Sequence, residues 1–347
     1  MSVLNRMYRG ETEFDFIRQR NRWFIFSAVL LALSIGSLLF RGFDLSVDFT
    51  GGTIVEAENA NDLSVGDYRG VLEDLGLEGQ RIQLTGEETT RVLIATEELD
   101  GPAQDELVAA IAAAAGIDAD ETNVDAVGAT FGGEITRRAM IALGVFLAVV
   151  AAFISWRFEW KMAGGALAAL LHDLLITAGI YSIVGFEVTP ATVIAVLTIL
   201  GYSLYDTVVV YDKITENVHE LQGRYTFTEI ANLSMNQVLM RSINTSLTSL
   251  LPIGSLLFIG SYVLGAATLR EFALALFIGV AAGTYSSIFV ATPLLALWKE
   301  QEPEWQRMQR RALRRSGIAL EGAAEVAVET IDVGAVARPP RQRRKRR

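Results

Sequence analysis

Six stretches of about twenty mainly apolar residues limit the fold that this sequence can adopt. Each helical residue advances the chain by only about 1.5 Å, so stretches of this length are needed to cross the hydrocarbon core of a bilayer. A backbone in lipid must satisfy its own hydrogen bonds, which favours helices. With 51% hydrophobic residues, we predict a polytopic α-helical membrane protein. The predicted spans are residues 23–40, 139–155, 162–184, 189–211, 244–264 and 271–298.

Residues 41–135 separate the first two predicted spans and have a different composition. Between Arg41 and Glu134 there are 21 Asp or Glu residues and 4 Lys or Arg residues, which indicates a solvated surface. Alternating and helical patterns predict a β-α-β-β-α-β order, which is typical of a small ferredoxin-like α+β domain. We predict that this domain is extracytoplasmic. Its strands are expected at 53–58, 81–85, 91–96 and 123–130, its helices at 65–75 and 102–115, and a hairpin turn at 86–88.

Basic residues at both ends of the chain predict its orientation. Residues 1–22 contain five arginines, and the chain ends in the run RPPRQRRKRR at 338–347. Positive residues stay on the cytoplasmic side, so residues 1–22 and a mostly disordered basic tail, 302–347, are predicted to be cytoplasmic. The first span lacks a small-residue cleavage site and is predicted to be a retained anchor. The tail's charge either only keeps it inside or also binds anionic lipid or ribosomal RNA; no specific nucleic-acid partner is expected.

The residue types exclude several kinds of chemistry. The chain has no cysteine and two histidines, which rules out disulfides, thiolate metal sites and a histidine-based metal centre. The paired glycines at 51–52 are not followed by the Lys-Ser/Thr of a phosphate loop. We therefore expect no cofactor and no enzymatic activity, so that any work must draw on an ion gradient or on a partner.

Asp206 is the residue most in need of an explanation, because it interrupts the apolar span 189–211. A charged Asp at the centre of a membrane helix costs roughly 2.5–3.5 kcal/mol on insertion scales. Polar contacts between membrane helices return only ~0.6 kcal/mol on average, so proton or ion coupling is favoured over polar packing. Arg241 is the candidate partner, at the predicted inner end of span five. It either pairs with Asp206 or serves only as a positive-inside anchor, and both readings remain open.

His172 and Asp173 lie in the middle of the predicted third span. Neighbouring helical residues point about 100° apart, so at most one of them faces a given partner. Asp173 is either a second site on a proton path, with His172 as its shuttle, or half of a structural His–Asp pair.

Two glycine patterns predict backbone behaviour rather than chemistry. Gly51 and Gly52 follow Asp48 just beyond the first span, where paired glycines fit a bend or hinge between helix and domain. Gly279 and Gly283 form a GxxxG pattern in the sixth span, which allows close helix packing, more often within one chain than with a partner.

Several of these residues belong to longer stretches that resemble one family. The chain is similar to the SecF family, the smaller subunits of SecDF protein-export complexes, in the resistance-nodulation-division transporter superfamily. The resemblance covers roughly residues 20–298. It is carried by DFTGGT at 48–53, LHD at 171–173, GYSLYDTVVVYDKITEN at 201–217, RSINTSLT at 241–248 and GTYSSI at 283–288.

This resemblance implies a subunit of the cytoplasmic (inner) membrane that works with a SecD-like subunit, a SecYEG translocation channel and unfolded preprotein, in a lipid bilayer. It implies that Asp206 and Arg241 take part in proton conduction, which drives movement of the extracytoplasmic domain and completes export. A small-molecule or ion exporter of the same superfamily is the alternative. Such an exporter is expected to have a larger outer domain with a substrate pocket, and both transporter halves in one chain. A passive assembly subunit is the third reading.

Overall fold

The computed structural model describes residues 14–77, 79–85, 91–263 and 267–315. Among them, six helices are long and apolar enough to cross a membrane, which confirms the predicted multi-pass fold. In chain order the elements are α1 (Arg20–Phe40), β1 (Asp44–Leu45), α2 (Val47–Thr50), β2 (Gly52–Glu58), α3 (Val65–Asp74), β3 (Arg81–Thr85), β4 (Arg91–Thr96), α4 (Gly101–Ala115), β5 (Asn123–Val127), α5 (Ala129–Arg157), α6 (Trp160–Val184), β6 (Glu187–Val188), α7 (Pro190–Leu221), α8 (Phe227–Ser255), α9 (Ala267–Ser286), α10 (Thr292–Glu300) and α11 (Pro303–Arg315). A π-helical stretch, Leu256–Val263, extends α8, and another, Ser287–Ala291, joins α9 to α10.

A small α+β domain follows α1, as predicted. Its strands are ordered β3-β4-β2-β5, and all neighbouring strands are antiparallel. This is the ferredoxin-like arrangement, with α3 and α4 packed on one face of the sheet. Ser64 and Asp67 form a capping box at the start of α3, and Asp100 caps α4. The turn predicted at 86–88 lies outside the described residues.

The membrane bundle has central and peripheral helices. In the apolar stretch of α6, half of the residues are buried, whereas only 11% are buried in the apolar stretches of α1 and of α5. Small residues on α6 let its neighbours approach closely: a Cβ at Gly179 would collide with Ser34 of α1. This packing places α6, α7 and α9 side by side around the middle of the bundle.

Two helix boundaries differ strongly from the predicted spans. α7 continues to Leu221, and α8 begins at Phe227 rather than at residue 244. The predicted spans 189–211 and 244–264 leave residues 212–243 as a loop, and that part of the prediction is wrong. Thr226 and Glu229 form a capping box that starts α8. Its first turns interleave polar residues with the buried apolar residues Ile230 and Met235, and a search for membrane-length apolar runs misses such turns.

Smaller corrections concern the domain boundary and the tail. α5 begins at Ala129, so the α+β domain ends before it rather than at residue 135, and Arg137 pairs with Glu134 within this helix. Residues 303–315 of the predicted disordered tail form α11, whose Trp305 packs against Phe227. The remainder of the tail lies outside the described residues.

Candidate functional site

Asp206 lies in the interior of the bundle. It is 16 residues beyond Pro190, the first residue of α7, or about 24 Å along the helix axis. Its exposed fraction is 7%, yet its carboxylate makes no hydrogen bond or ion pair within the described part of the chain. An ionisable residue held in this way inside a membrane protein is a candidate functional residue.

A small cavity of about 10 Å³ lies beside Asp206, which is room for about one water molecule. Its lining is rich in hydroxyl groups from α7, α8 and α9, and the remaining lining residues are Asp206 itself and Val280. The hydroxyl-bearing residues are Tyr202, Ser203, Thr245, Ser246, Ser249 and Thr284. These groups can hydrogen-bond a water molecule or surround a small cation.

Arg241 does not form an ion pair with Asp206 in this structure. Its guanidinium donates a hydrogen bond to the Tyr205 hydroxyl at 2.9 Å and lies 5.9 Å from the centre of the Tyr205 ring. Its charge still acts on Asp206 through space. Arg241, Tyr205 and Tyr202 are all exposed on the bundle surface, and a part for Arg241 in ion coupling stays a prediction.

Asp173 is more deeply enclosed than Asp206 and is fully hydrogen-bonded. Its carboxylate accepts hydrogen bonds from Ser203 Oγ at 2.6 Å and from Ser286 Oγ at 2.7 Å. His172 Nδ1 lies 3.1 Å from the other carboxylate oxygen. The two predicted residues therefore contact each other, while His172 Nε2 is buried without a hydrogen-bond partner among the described residues.

Ser203 connects the two carboxylates. It donates to Asp173 and also lines the cavity of Asp206, because positions three apart on α7 share one face. We call His172, Asp173, Ser203 and Asp206 the polar seam. A second layer of hydroxyl contacts supports it, namely Thr207 with Ser287 at 3.0 Å and Thr284 with Ser246 at 2.8 Å.

The GxxxG glycines bring α9 against the helix that carries Ser203. A Cβ on Gly283 would lie 2.9 Å from the Cβ of Ser203, and one on Gly279 would collide with Ile199. The predicted packing glycines thus lie on an intramolecular contact.

Apolar layers separate the polar seam from both ends of the bundle. Towards the α+β domain the layer consists of Tyr181, Ala195, Ile199, Ala275 and Leu276, all at most 7% exposed. On the opposite side, Val210 and Tyr211 are buried in the main core of the bundle. Exposed side chains beside the seam include Tyr202, Tyr205 and Arg241.

The glycine pair after α2 forms a sharp bend. Gly51 and Gly52 have φ angles of +80° and +150°, which only glycine adopts readily. A Cβ on Gly51 would lie 2.6 Å from the Cα of Ala129 at the start of α5. Asp48 lies in α2 and accepts a hydrogen bond from Ser46 Oγ at 3.1 Å. Hinge movement at this bend stays a prediction.

Sequence reasoning named Asp206, Asp173 and Arg241 but missed most of the cavity wall. Thr245 and Ser249 lie four residues apart in the segment 241–248 and its continuation, which places them on one helical face. That spacing could have identified Thr245 and Ser249 as cavity-lining residues, but only if α8 was already known to lie opposite α7.

Comparisons with known protein families match most of the chain. The family described as "Protein export membrane protein SecD/SecF, C-terminal" matches residues 107–301. The description "SecD/SecF GG Motif" matches residues 36–58, a segment that includes Asp48 and the glycine pair.

Curated proteins and solved structures give the same result. "Protein translocase subunit SecF" of Streptomyces coelicolor is 41% identical over 93% of this chain and 87% of its own length. The Mycobacterium tuberculosis H37Rv protein of the same name is 43% identical over 94% of this chain and 76% of its own. The crystal structure of SecDF from Thermus thermophilus, a translocon-associated membrane protein, has a TM-score of 0.74 at 34% identity, covering 86% of this chain and 42% of that chain. A SecDF structure in a super-membrane-facing form has a TM-score of 0.60 at 34% identity, covering 89% and 40%.

Proposed function

This chain belongs to the SecD/SecF family of protein export membrane proteins, and from that premise we propose that it is an accessory subunit of the Sec export machinery. In this proposal it couples proton flow across the cytoplasmic membrane to movement of its extracytoplasmic α+β domain. That movement holds emerging preprotein and completes its translocation. Its N- and C-termini lie in the cytoplasm, and its substrate leaves a SecYEG channel.

The observation that carries the proposal is the state of Asp206. A carboxylate with 7% exposure and no hydrogen bond or ion pair in the described chain faces a cavity lined by six hydroxyl-bearing residues. A group in such a place can gain or lose a proton without breaking a contact. One proton that crosses 100 mV releases about 2.3 kcal/mol, so a few protons supply enough free energy to shift a two-state equilibrium.

Within this proposal the two carboxylates have different roles. Asp206 exchanges the proton. Arg241, on the exposed face, favours the ionised form of Asp206 through its positive charge. Asp173, with His172 beside it, holds Ser203 in place through the 2.6 Å hydrogen bond. Proton passage through Asp173 itself would require that bond to break.

A SecD-like partner is part of the proposal because the exposed face beside Asp206 is unsuited to lipid. Arg241 is exposed there, and an exposed cation inside a bilayer is expensive. The chain matches 40% of the length of the Thermus thermophilus "Protein translocase subunit SecDF". A separate SecD-like chain would supply the rest and cover Tyr202, Tyr205 and Arg241.

The test uses a strain that lacks the native subunit and expresses full-length variants. Asp206→Asn is expected to abolish both proton flux in inverted membrane vesicles and the late stage of preprotein export. Asp212→Asn is the matched control, since Asp212 lies on the same helix but is 48% exposed in an ion pair with Arg157. Wild-type flux and export in Asp206→Asn would refute proton coupling at this residue.

A further inference from the structure

A cluster of charges joins the α+β domain to the membrane bundle. Arg81, the first residue of β3, places its guanidinium against two carboxylates. It forms an ion pair with Asp44 of β1, and its Nη1 lies 3.2 Å from Glu187 Oε1 in β6. Within the described ranges, Arg81 is the one cation that connects the four-stranded sheet to the bundle by ion pairs.

The two carboxylates that Arg81 contacts are themselves neighbours. β1 and β6 pair in parallel, and Asp44 lies directly opposite Glu187. Like charges directly opposite each other destabilise strand pairing, so this short sheet depends on a cation between them. Asp48 and Glu271 add further negative charge near Glu187. Burial raises the pKa of the Glu187 carboxyl above its ordinary value, while the Arg81 guanidinium acts in the opposite direction.

The position of Glu187 gives this contact a mechanical consequence. Glu187 lies in the connection between α6 and α7. α6 carries His172 and Asp173, and α7 carries Ser203 and Asp206, so the polar seam is built across these two helices. Any change in their relative position moves the connection to which Arg81 is bound.

We propose that Arg81 is the positioning residue that transmits movement of α6 and α7 to the α+β domain. The guanidinium binds Asp44 and Glu187 at the same time. Because of this contact, the α+β domain moves together with the α6–α7 connection. Without it the domain stays tethered by α1 and α5, but its orientation no longer depends on the bundle. This inference rests on the ion coupling proposed above. It adds a structural link between the proton site at Asp206 and the α+β domain that moves.

The chain has no cysteines, so two introduced cysteines provide unique sites for spin labels. We would place them at exposed Asp105 on α4 and exposed Leu39 on α1, in the full-length chain reconstituted with its SecD-like partner. Pulsed electron paramagnetic resonance then reports the distance between domain and bundle. Proton flux and preprotein export are measured on the same variants without labels.

Arg81→Ala is expected to turn one narrow distance distribution into a broad one. The undocked population should rise roughly tenfold, as expected for loss of a charge-assisted contact, and export should fall while proton flux per complex is retained. Arg91→Ala is the matched control, because Arg91 lies in the same sheet and pairs with Glu56 inside the domain. It should leave distance, flux and export unchanged.

The exchange Arg81→Glu with Glu187→Arg tests the contact itself. Residue 187 then carries the cation between Asp44 and residue 81, so the narrow distribution and export should return. Arg81→Lys should retain them only in part, because the compact ammonium of lysine does not reach two carboxylates as the planar guanidinium does. A narrow distribution in Arg81→Ala, normal export in that variant, or no recovery in the exchanged pair would each overturn the inference.

Failure of the proposed function would give a different pattern. Normal proton flux in Asp206→Asn would refute coupling at Asp206. The distance measurement on Arg81→Ala would still decide whether this residue docks the domain.

Discussion

Asp173 and Asp206 lie on neighbouring helices and share Ser203, yet their surroundings are opposite. Asp173 has no exposed surface and contacts two hydroxyl groups and an imidazole. Asp206 has no hydrogen bond in the described chain and faces a cavity of about 10 Å³. Burial alone therefore does not show which of the two carboxylates is free to exchange a proton. A fully bonded carboxylate fixes its helices in place, whereas an unbonded one beside hydroxyl groups is available to a proton or a water molecule.

The largest expected effect on stability separates the two carboxylates. Asp173→Ala leaves the Ser203 and Ser286 hydroxyls and His172 without their acceptor, so we expect the free energy of unfolding to fall by about 3–5 kcal/mol. Asp206→Ala breaks no hydrogen bond and should change it by less than about 1 kcal/mol. Equilibrium unfolding in mixed micelles measures both changes. Equal losses of unfolding free energy in the two variants would contradict the different roles given to the two carboxylates.

A change at the contact between α7 and α9 should disturb both carboxylates together. Gly283→Ala places a Cβ 2.9 Å from that of Ser203, and overpacking of this kind costs about 1–3 kcal/mol. Because Ser203 serves both sites, proton flux should fall as well.

Gly144→Ala is the matched control, since nothing lies within 4 Å of its added Cβ. In a helix it should stabilise the protein by roughly 0.5–1 kcal/mol. A Gly283→Ala variant as stable and as active as this control would show that the seam tolerates displacement of α9.

Single hydroxyl deletions sharpen the contrast at smaller scale. Ser286→Ala removes a donor to Asp173 and should cost roughly 1–2 kcal/mol with little effect on proton flux. Ser249→Ala removes only a group that lines the Asp206 cavity and should leave the unfolding free energy unchanged while slowing flux. The reverse pattern, with flux lost in Ser286→Ala and kept in Ser249→Ala, would assign the proton path to Asp173.

A further prediction concerns the exposed face. Tyr205→Phe removes the hydroxyl that accepts the 2.9 Å hydrogen bond from Arg241 and should cost no more than about 0.5–1 kcal/mol in stability. Released from Tyr205, Arg241 no longer holds a fixed position relative to Asp206, so flux should fall several-fold. Wild-type flux in Tyr205→Phe would mean that the position of Arg241 is not set by this bond.

The sequence predicted the framework of the molecule better than its contacts. Apolar runs located all six spans, and two strand-like runs on either side of a predicted turn located β3 and β4 at their observed residues. The start of α8 was missed because its first turns interleave polar residues, such as the buried Ser234 and Asn236, with apolar ones such as Ile230, and are not continuously apolar.

The ionisable residues of the candidate site were predictable from the sequence, but their arrangement and most of the cavity wall were not. Asp206 and Asp173 stood out by their cost in a membrane. The bond from Ser286 to Asp173 joins positions 113 residues apart, and depends on how α9 packs against α6. Arg81 gave no signal either, because an arginine at the start of a strand is unremarkable until the domain docks on the bundle.

The most direct test of the central claim is infrared difference spectroscopy of the reconstituted complex across a pH series. The account predicts a carboxyl C=O band whose intensity changes with pH and which disappears in Asp206→Asn. The same band should persist in Asp173→Asn, provided that this variant is folded. A pH-dependent band that survives Asp206→Asn and is lost in Asp173→Asn would contradict the account.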